Sequence, residues 1–201
     1  MSGLPKVTAA VALAAAAVFL APGAFEALSW RRADILGGEL WRLWTGHLTH
    51  GSFQHLAWDL AAFCLLGWQV EARLKETFAL FLAACALAIS AGLMVFLPHL
   101  QWYCGLSGLD TALFGWLALT ESREAWLEKQ RWLLALNGAW LAGLVFKVGY
   151  EYWCGQMLFV STPGLPPVPA AHLLGALAGA AVFALGSRPG QRARYGAGLV
   201  S

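Results

Sequence analysis

The chain has 201 residues, of which 59% are hydrophobic and 12% are charged. Soluble domains usually carry about 25% charged residues, so this composition indicates a membrane protein. A net charge of +2, with the basic residues dispersed along the chain, argues against a nucleic-acid-binding protein. The length suits a single domain over residues 1–201, since no linker or internal repeat divides the sequence.

Six apolar stretches predict an all-α, polytopic membrane protein with six transmembrane helices. They cover residues 7–25, 53–70, 78–97, 106–119, 132–148 and 170–185. The fourth and sixth are shorter than the roughly 20 residues of a straight span, which would leave room for water above them. The first has a second interpretation as a signal peptide, because Lys6 precedes it and residues 21–24 near its end could form a small-residue cleavage site.

The connection between the first two stretches, about residues 26–54, mixes aromatic and basic side chains, among them the adjacent pair Trp41 and Arg42. Such a mixture is typical of a segment in the headgroup layer. We predict a membrane-surface loop that either guides substrate or packs beside the bundle without that role. Most basic residues lie on the side of the predicted spans that holds both termini, so the positive-inside rule places both termini in the cytoplasm.

Gly105, Ser107 and Gly108 open the fourth stretch, and His172 lies near the start of the sixth. A serine hydroxyl becomes an effective nucleophile when a base takes its proton, and imidazole does so near neutral pH. Under the predicted topology both residues lie near the exoplasmic face. No Asp is positioned by sequence to complete a triad, so the pattern favours nucleophilic catalysis by a Ser–His dyad.

Small residues allow a purely structural interpretation beside the catalytic one. Ser107 lies among glycines, and small residues recur where membrane helices meet. Gly108 with Ala112, and Gly175 with Gly179, form small-xxx-small pairs that predict contact between the fourth and sixth helices. That contact would also bring Ser107 and His172 together, which a dyad requires.

Two further classes of function are weaker. His47, His50 and His55 suggest a metal site, but no carboxylate or cysteine clearly converges with them, so we predict no metal and no cofactor. We expect His50 to tie down the long loop by hydrogen bonds instead. A transporter or channel would be marked by charged residues inside the spans, where Asp59 qualifies.

Taken together, these motifs resemble the rhomboid intramembrane serine proteases. In that family Gly-x-Ser-Gly opens the fourth membrane helix, as Gly105–Gly108 does here, and a catalytic histidine lies on the sixth, as His172 does. Trp41-Arg42 match a pair in the family's long first loop. The resemblance spans about residues 39–185.

The resemblance implies a role for each residue. Ser107 would attack the scissile carbonyl, and His172 would act first as general base and then as general acid. His55 and the Ser107 backbone N–H would donate to the oxyanion, with Gly105 and Gly108 in support.

Two positions depart from the family. Asp59 replaces the usual Asn of the second helix, and an ionised carboxylate would repel an oxyanion, so we expect Asp59 to orient His55. Thr111 replaces the aromatic residue that stacks on the histidine in many rhomboids.

Within the family, the segment His55–Asp59 is most similar to rhombosortases. That likeness implies cleavage of carboxy-terminal sorting tails, each made of a Gly-Gly motif, a membrane helix and a short basic end. The expected partners are such transmembrane substrates and the lipid bilayer of a bacterial inner membrane. The alternatives are a general rhomboid protease of single-span substrates and a catalytically silent relative that binds membrane clients.

Cys104 and Cys154 both fall near the predicted exoplasmic face, where an oxidising space favours disulfides. We hypothesise a disulfide between them, with two free thiols as the alternative. It would anchor one end of the proline-rich segment 153–169, whose counterpart in rhomboids caps the active site and moves to admit substrate.

Overall fold

The computed structural model describes residues 5–155 and 168–186. Its long helices are α1 (Lys6–Leu20), α5 (Phe53–Leu74), α6 (Phe78–Phe96), α7 (Ser107–Leu127), α8 (Arg131–Cys154) and α9 (Pro169–Gly186). Three short helices, α2 (Ala24–Leu28), α3 (Arg32–Leu36) and α4 (Arg42–Thr45), lie between α1 and α5. Single 3₁₀ turns cover Gly46–Leu48 and Lys75–Thr77, and two short strands are β1 (Trp30–Arg31) and β2 (Trp102–Tyr103).

Three helical segments of the described chain are long and apolar enough to cross a membrane. They are Phe53–Phe96, which contains α5 and α6, Arg131–Cys154 and Pro169–Gly186. Helix α1 is apolar but has only 15 residues. The predicted count of six transmembrane helices, like the single domain over residues 1–201, therefore stays a prediction.

Helix α7 is longer than its apolar stretch indicates. The stretch ends near Leu119, but the helix has 21 residues and continues to Leu127. Glu and Arg favour helix, so the polar residues that follow Leu119 extend it rather than end it. Arg73 of α5 supports this extension, since its Nη2 lies 3.2 Å from Glu121 Oε1. The expectation of a short fourth helix was wrong for this reason.

Helix α7 packs against α5, α8 and α9. Its closest approach is to α9, where Gly175 faces Gly108 and Gly179 faces Ala112. A Cβ atom at either α9 glycine would collide with the carbonyl oxygen of the α7 residue that it faces. The two small-xxx-small pairs thus meet as the sequence predicted, and the first turns of α7 and α9 lie side by side.

Helix α1 packs against α5 as part of the bundle. The backbone N–H groups of Val7 and Thr8 donate to the Glu71 carboxylate at 2.9 and 2.8 Å, which satisfies free donors at the α1 amino terminus. Gly67 of α5 lies against the Thr8 side chain, with no space for a Cβ atom between the helices.

The segment between α1 and α5 is organised around one buried arginine. Arg42 Nη1 donates to the carbonyl oxygens of Glu26 and Ser29 at 2.9 and 2.8 Å, and its Nε donates to Glu39 Oε2 at 2.6 Å. The preceding Trp41 is exposed. Arg42 therefore holds the segment together from inside, whereas Trp41 lies exposed on its surface.

One short strand pair lies beside the helices of this all-α fold. Strand β1 pairs antiparallel with β2, with Trp30 opposite Tyr103 and Arg31 opposite Trp102. The Arg31 guanidinium lies over the Trp102 ring, 4.2 Å from its centroid. This ribbon connects the segment after α1 to the chain that enters α7, just before Ser107.

Candidate active site

Ser107 is the first residue of α7, and a glycine turn presents it. Gly105 has a φ of +110°, a region that residues with a Cβ atom rarely adopt. A Cβ at Gly105 would also lie 2.6 Å from His55 Nε2, so only glycine fits. At a helix amino terminus the N–H of Ser107 has no partner within the helix and is available to an anionic oxygen.

His172 lies next to the Ser107 hydroxyl, although 65 residues separate them in sequence. His172 Nε2 is 3.0 Å from Ser107 Oγ, and the imidazole is buried on the first turn of α9. The distance suits a hydrogen bond in which the hydroxyl donates to the ring nitrogen. The residues that sequence analysis singled out as nucleophile and base thus lie within hydrogen-bonding distance.

The other ring nitrogen of His172 faces a residue that sequence analysis missed. His172 Nδ1 lies 2.9 Å from Glu151 Oε2, and Lys147 Nζ lies 2.7 Å from Glu151 Oε1. Lys147 Nζ is also 3.3 Å from His172 Nδ1. We call Lys147, Glu151 and His172 the α9 cluster. The spacing of Lys147 and Glu151, one helical turn apart, was the available signal, but the fifth apolar stretch ended before Glu151.

A second polar cluster lies on the opposite side of Ser107. Oδ2 of Asp59 accepts the Ser107 backbone N–H at 3.1 Å, and lies 3.2 Å from His50 Nε2 and 3.3 Å from His55 Nε2. We call His50, His55 and Asp59 the α5 cluster. Three nitrogen atoms thus lie within hydrogen-bonding distance of one carboxylate oxygen beside Ser107.

A further buried histidine, His47, contacts α6 and the Tyr103 side chain. His47 Nε2 lies 3.2 Å from both the Ala86 carbonyl oxygen and Ser90 Oγ, and its Nδ1 lies 3.4 Å from the Tyr103 hydroxyl. Burial lowers the pKa of His47 to about 4, so the ring is neutral near pH 7. Burial also raises the pKa of the Tyr103 hydroxyl, which donates to the Gly105 carbonyl at 3.1 Å.

Asp59 is not the only buried acid among the described residues. Asp110 of α7 and Glu151 of α8 are buried as well. Thr111 does not take over the support of His172, because its hydroxyl donates to the Gly108 carbonyl at 2.8 Å on its own helix. Within residues 5–155 and 168–186, no group of His, Cys, Asp and Glu side chains is arranged to hold a metal ion.

The hypothesised disulfide is absent from the structure, where Cys104 and Cys154 are free thiols. Cys154 is exposed at the end of α8, whereas Cys104 is half-buried beside His55. Cys104 therefore belongs to the surroundings of the α5 cluster, and a shared predicted face did not imply pairing. Of the predicted cap segment, residues 156–167 lie outside the described part of the chain.

A rhomboid domain family model matches residues 37–189. The chain is similar to the Rhomboid protease GlpG of Enterobacter sp. (strain 638), with 32% identity over 120 residues, which cover 57% of this chain and 42% of that protein. It is also similar to the Rhomboid protease GlpG of Salmonella newport (strain SL254), with 26% identity over 157 residues, 77% of this chain and 51% of the relative. The chain thus spans about half the length of the curated relatives it matches.

The helical bundle, the apolar segments and the matched domain together define a multi-pass helical membrane protein. The match covers well over half of the chain, and the chain belongs to the rhomboid family.

Proposed function

We propose that this chain is an intramembrane serine endopeptidase in which Ser107 is the nucleophile and His172 is the general base. The observation that carries the proposal is the 3.0 Å distance between Ser107 Oγ and His172 Nε2 at the meeting of two helix amino termini. The rhomboid domain match and the similarity to GlpG proteases support the same chemistry.

In the proposed reaction, Ser107 Oγ attacks the scissile carbonyl carbon while its proton moves to His172 Nε2. The imidazolium then gives that proton to the leaving amine, and water hydrolyses the acyl-enzyme with the same groups. The backbone N–H of Ser107 and the His55 side chain donate to the oxyanion. Both already face a carboxylate oxygen, Asp59 Oδ2, which supports their assignment as oxyanion donors.

Labelling with a fluorescent alkyl fluorophosphonate tests the proposal on the detergent-solubilised chain. The wild type should be labelled, whereas folded Ser107→Ala should not. Equal labelling of both forms would show that the probe reacts elsewhere, and no labelling of either form would favour a catalytically silent client-binding protein.

We further propose that the substrates are carboxy-terminal sorting tails with a Gly-Gly motif, a membrane helix and a basic end, as for rhombosortases. The support is the likeness of the segment His55–Asp59 to that subfamily. Glycine pairs weaken a helix and would thereby expose a scissile bond near its end. The basic end of such a tail would stay in the cytoplasm by the positive-inside rule, which leaves the Gly-Gly motif on the exoplasmic side. The proposed active site of this chain faces the same side of a bacterial inner membrane.

Two single-span reporters, co-expressed in bacteria, test the substrate class. One carries the Gly-Gly tail, and the other differs only by Val-Val at those two positions. Cleavage of the first reporter alone, lost in Ser107→Ala, is the expected result. Equal cleavage of both would indicate a general rhomboid protease of single-span substrates.

A further inference from the structure

Helix α8 buries almost nothing except polar side chains. Of its 24 residues, the buried ones are Asn137 and Glu151, while apolar side chains such as Val145, Phe146 and Trp153 are exposed. An ionised side chain inside a membrane helix is costly without a partner, and such residues usually face the bundle interior at functional sites. The inward position of Glu151 therefore needs an explanation beyond helix packing.

The partner of Glu151 is the imidazole that faces Ser107. Glu151 is 2% exposed, and its Oε2 lies 2.9 Å from His172 Nδ1. Contacts link the three side chains in series, because Ser107 Oγ lies 3.0 Å from the other ring nitrogen, His172 Nε2. They come from three helices, α7, α8 and α9, which meet at this point.

We propose that Glu151 is a positioning residue that completes a Ser107–His172–Glu151 triad in this protein. The inference rests on the proposed protease function and extends it, since a dyad leaves the second ring nitrogen of His172 without an assigned role.

The proton positions follow from the donors and acceptors present. An ionised carboxylate only accepts hydrogen bonds, so Glu151 selects the tautomer of His172 in which Nδ1 carries the hydrogen. Nε2 then has a free lone pair for the Ser107 hydroxyl proton. Without Glu151, the Lys147 ammonium, 3.3 Å from Nδ1, would favour the opposite tautomer, in which Nε2 carries the hydrogen and cannot act as a base.

Lys147 has a second effect in the α9 cluster. Its Nζ donates to Glu151 Oε1 at 2.7 Å, and its side chain is 26% exposed while that of Glu151 is 2% exposed. The ion pair keeps the buried carboxylate charged and directs the lysine hydrogens to Oε1. Oε2 is then left to accept the hydrogen of His172 Nδ1.

The role of Glu151 in turnover is electrostatic and orienting. As Ser107 Oγ bonds to the carbonyl carbon, its proton moves to His172 Nε2 and the carbonyl π pair moves to oxygen. The resulting imidazolium is stabilised by the Glu151 carboxylate, which itself takes no proton. When the C–N bond breaks, its electron pair stays on nitrogen, which receives the proton from Nε2.

Inactivation by the same alkyl fluorophosphonate tests the triad. In this reaction Ser107 Oγ bonds to phosphorus, fluoride leaves with the P–F electron pair, and the hydroxyl proton goes to His172. Glu151→Gln should lower the maximal inactivation rate, kinact, by about 10³–10⁴-fold, because the amide favours the wrong tautomer. The probe's inhibition constant KI should stay within about threefold, since Glu151 does not contact the probe.

Matched variants separate positioning from folding. Glu76→Gln makes the same change on an exposed turn residue and should leave kinact unchanged. Glu151→Asp keeps the charge but is one methylene shorter, so it should retain more activity than the Gln variant while falling about tenfold or more below wild type. In ¹⁵N-histidine NMR, the hydrogen-bonded Nδ1–H signal of His172 should be present in wild type and absent in Glu151→Gln.

The possible outcomes distinguish the two proposals. A wild-type kinact in folded Glu151→Gln, with labelling still lost in Ser107→Ala, would overturn the triad and leave the protease proposal standing. If the Gln variant does not fold, a wild-type kinact in Glu151→Asp would equally overturn the triad. Labelling of Ser107→Ala would contradict the protease proposal itself.

Discussion

The two polar clusters beside Ser107 are assembled in different ways. In the α5 cluster, His55 and Asp59 are one helical turn apart on the same helix, so the geometry of α5 sets their contact. In the α9 cluster, Glu151 and His172 are 21 residues apart and belong to two helices, so their contact depends on helix packing. Changes in the packing of α8 or α9 should therefore disturb the base side of Ser107 while sparing the oxyanion side.

The largest expected effect comes from removing the nucleophile or the general base. Ser107→Ala and His172→Ala should each lower kcat for the Gly-Gly reporter on the order of 10⁶-fold, to background, because neither variant can form the acyl-enzyme. The measurement is reporter cleavage by purified protein in detergent. Thermal unfolding serves as the control, and Tm should change little. Substantial cleavage by either variant would contradict the dyad.

A packing change should separate the two clusters. In Gly175→Leu, the new side chain would collide with the Gly108 carbonyl and the Thr111 hydroxyl, which forces α9 away from α7. We expect fluorophosphonate labelling to fall at least a hundredfold, with a loss of about 1–3 kcal/mol of stability from overpacking. The exposed Gly186, where a Cβ meets no other atom, provides the matched Gly→Leu control.

Histidine NMR shows which cluster moved in that variant. The signals of His50 and His55 should stay near their wild-type positions, while that of His172 should shift. Equal shifts on both sides would mean that the clusters are not independent.

The difference between contacts within one helix and contacts between helices also explains which parts of the site the sequence could predict. The contact of His55 with Asp59 follows from their spacing along one helix, and the small-xxx-small spacing of Gly108 and Gly175 marks the helix faces that meet. Glu151 could not be found this way, because its partner depends on how α8 and α9 meet. Hydrophobicity does not indicate the full length of α7, because its final turns are polar and pair with Arg73.

A smaller effect is expected from substitutions in the α5 cluster, whose side chains donate hydrogen bonds but form no covalent bond with the substrate. His55→Ala should lower kcat by about 10²–10³-fold, as removal of one oxyanion donor does, and should leave KM nearly unchanged. Steady-state kinetics on the Gly-Gly reporter measure both constants. A raised KM with an unchanged kcat would assign His55 to substrate binding instead.

The smallest effect is expected at Asp59, where the change is a single charge. The Asn amide oxygen can still accept the Ser107 N–H that now donates to Oδ2 at 3.1 Å. Because the amide oxygen is neutral, it competes less than a carboxylate with the substrate oxyanion for the Ser107 N–H and the His55 side chain. This gain offsets the weaker hydrogen bond that orients His55. Asp59→Asn should therefore retain kcat within about tenfold of wild type, as expected for the exchange of one hydrogen-bond acceptor for another. Asp59→Ala, which leaves His50 and His55 without this acceptor, should lose more. Complete loss of activity in a folded Asn variant would show that the negative charge itself is required on the oxyanion side.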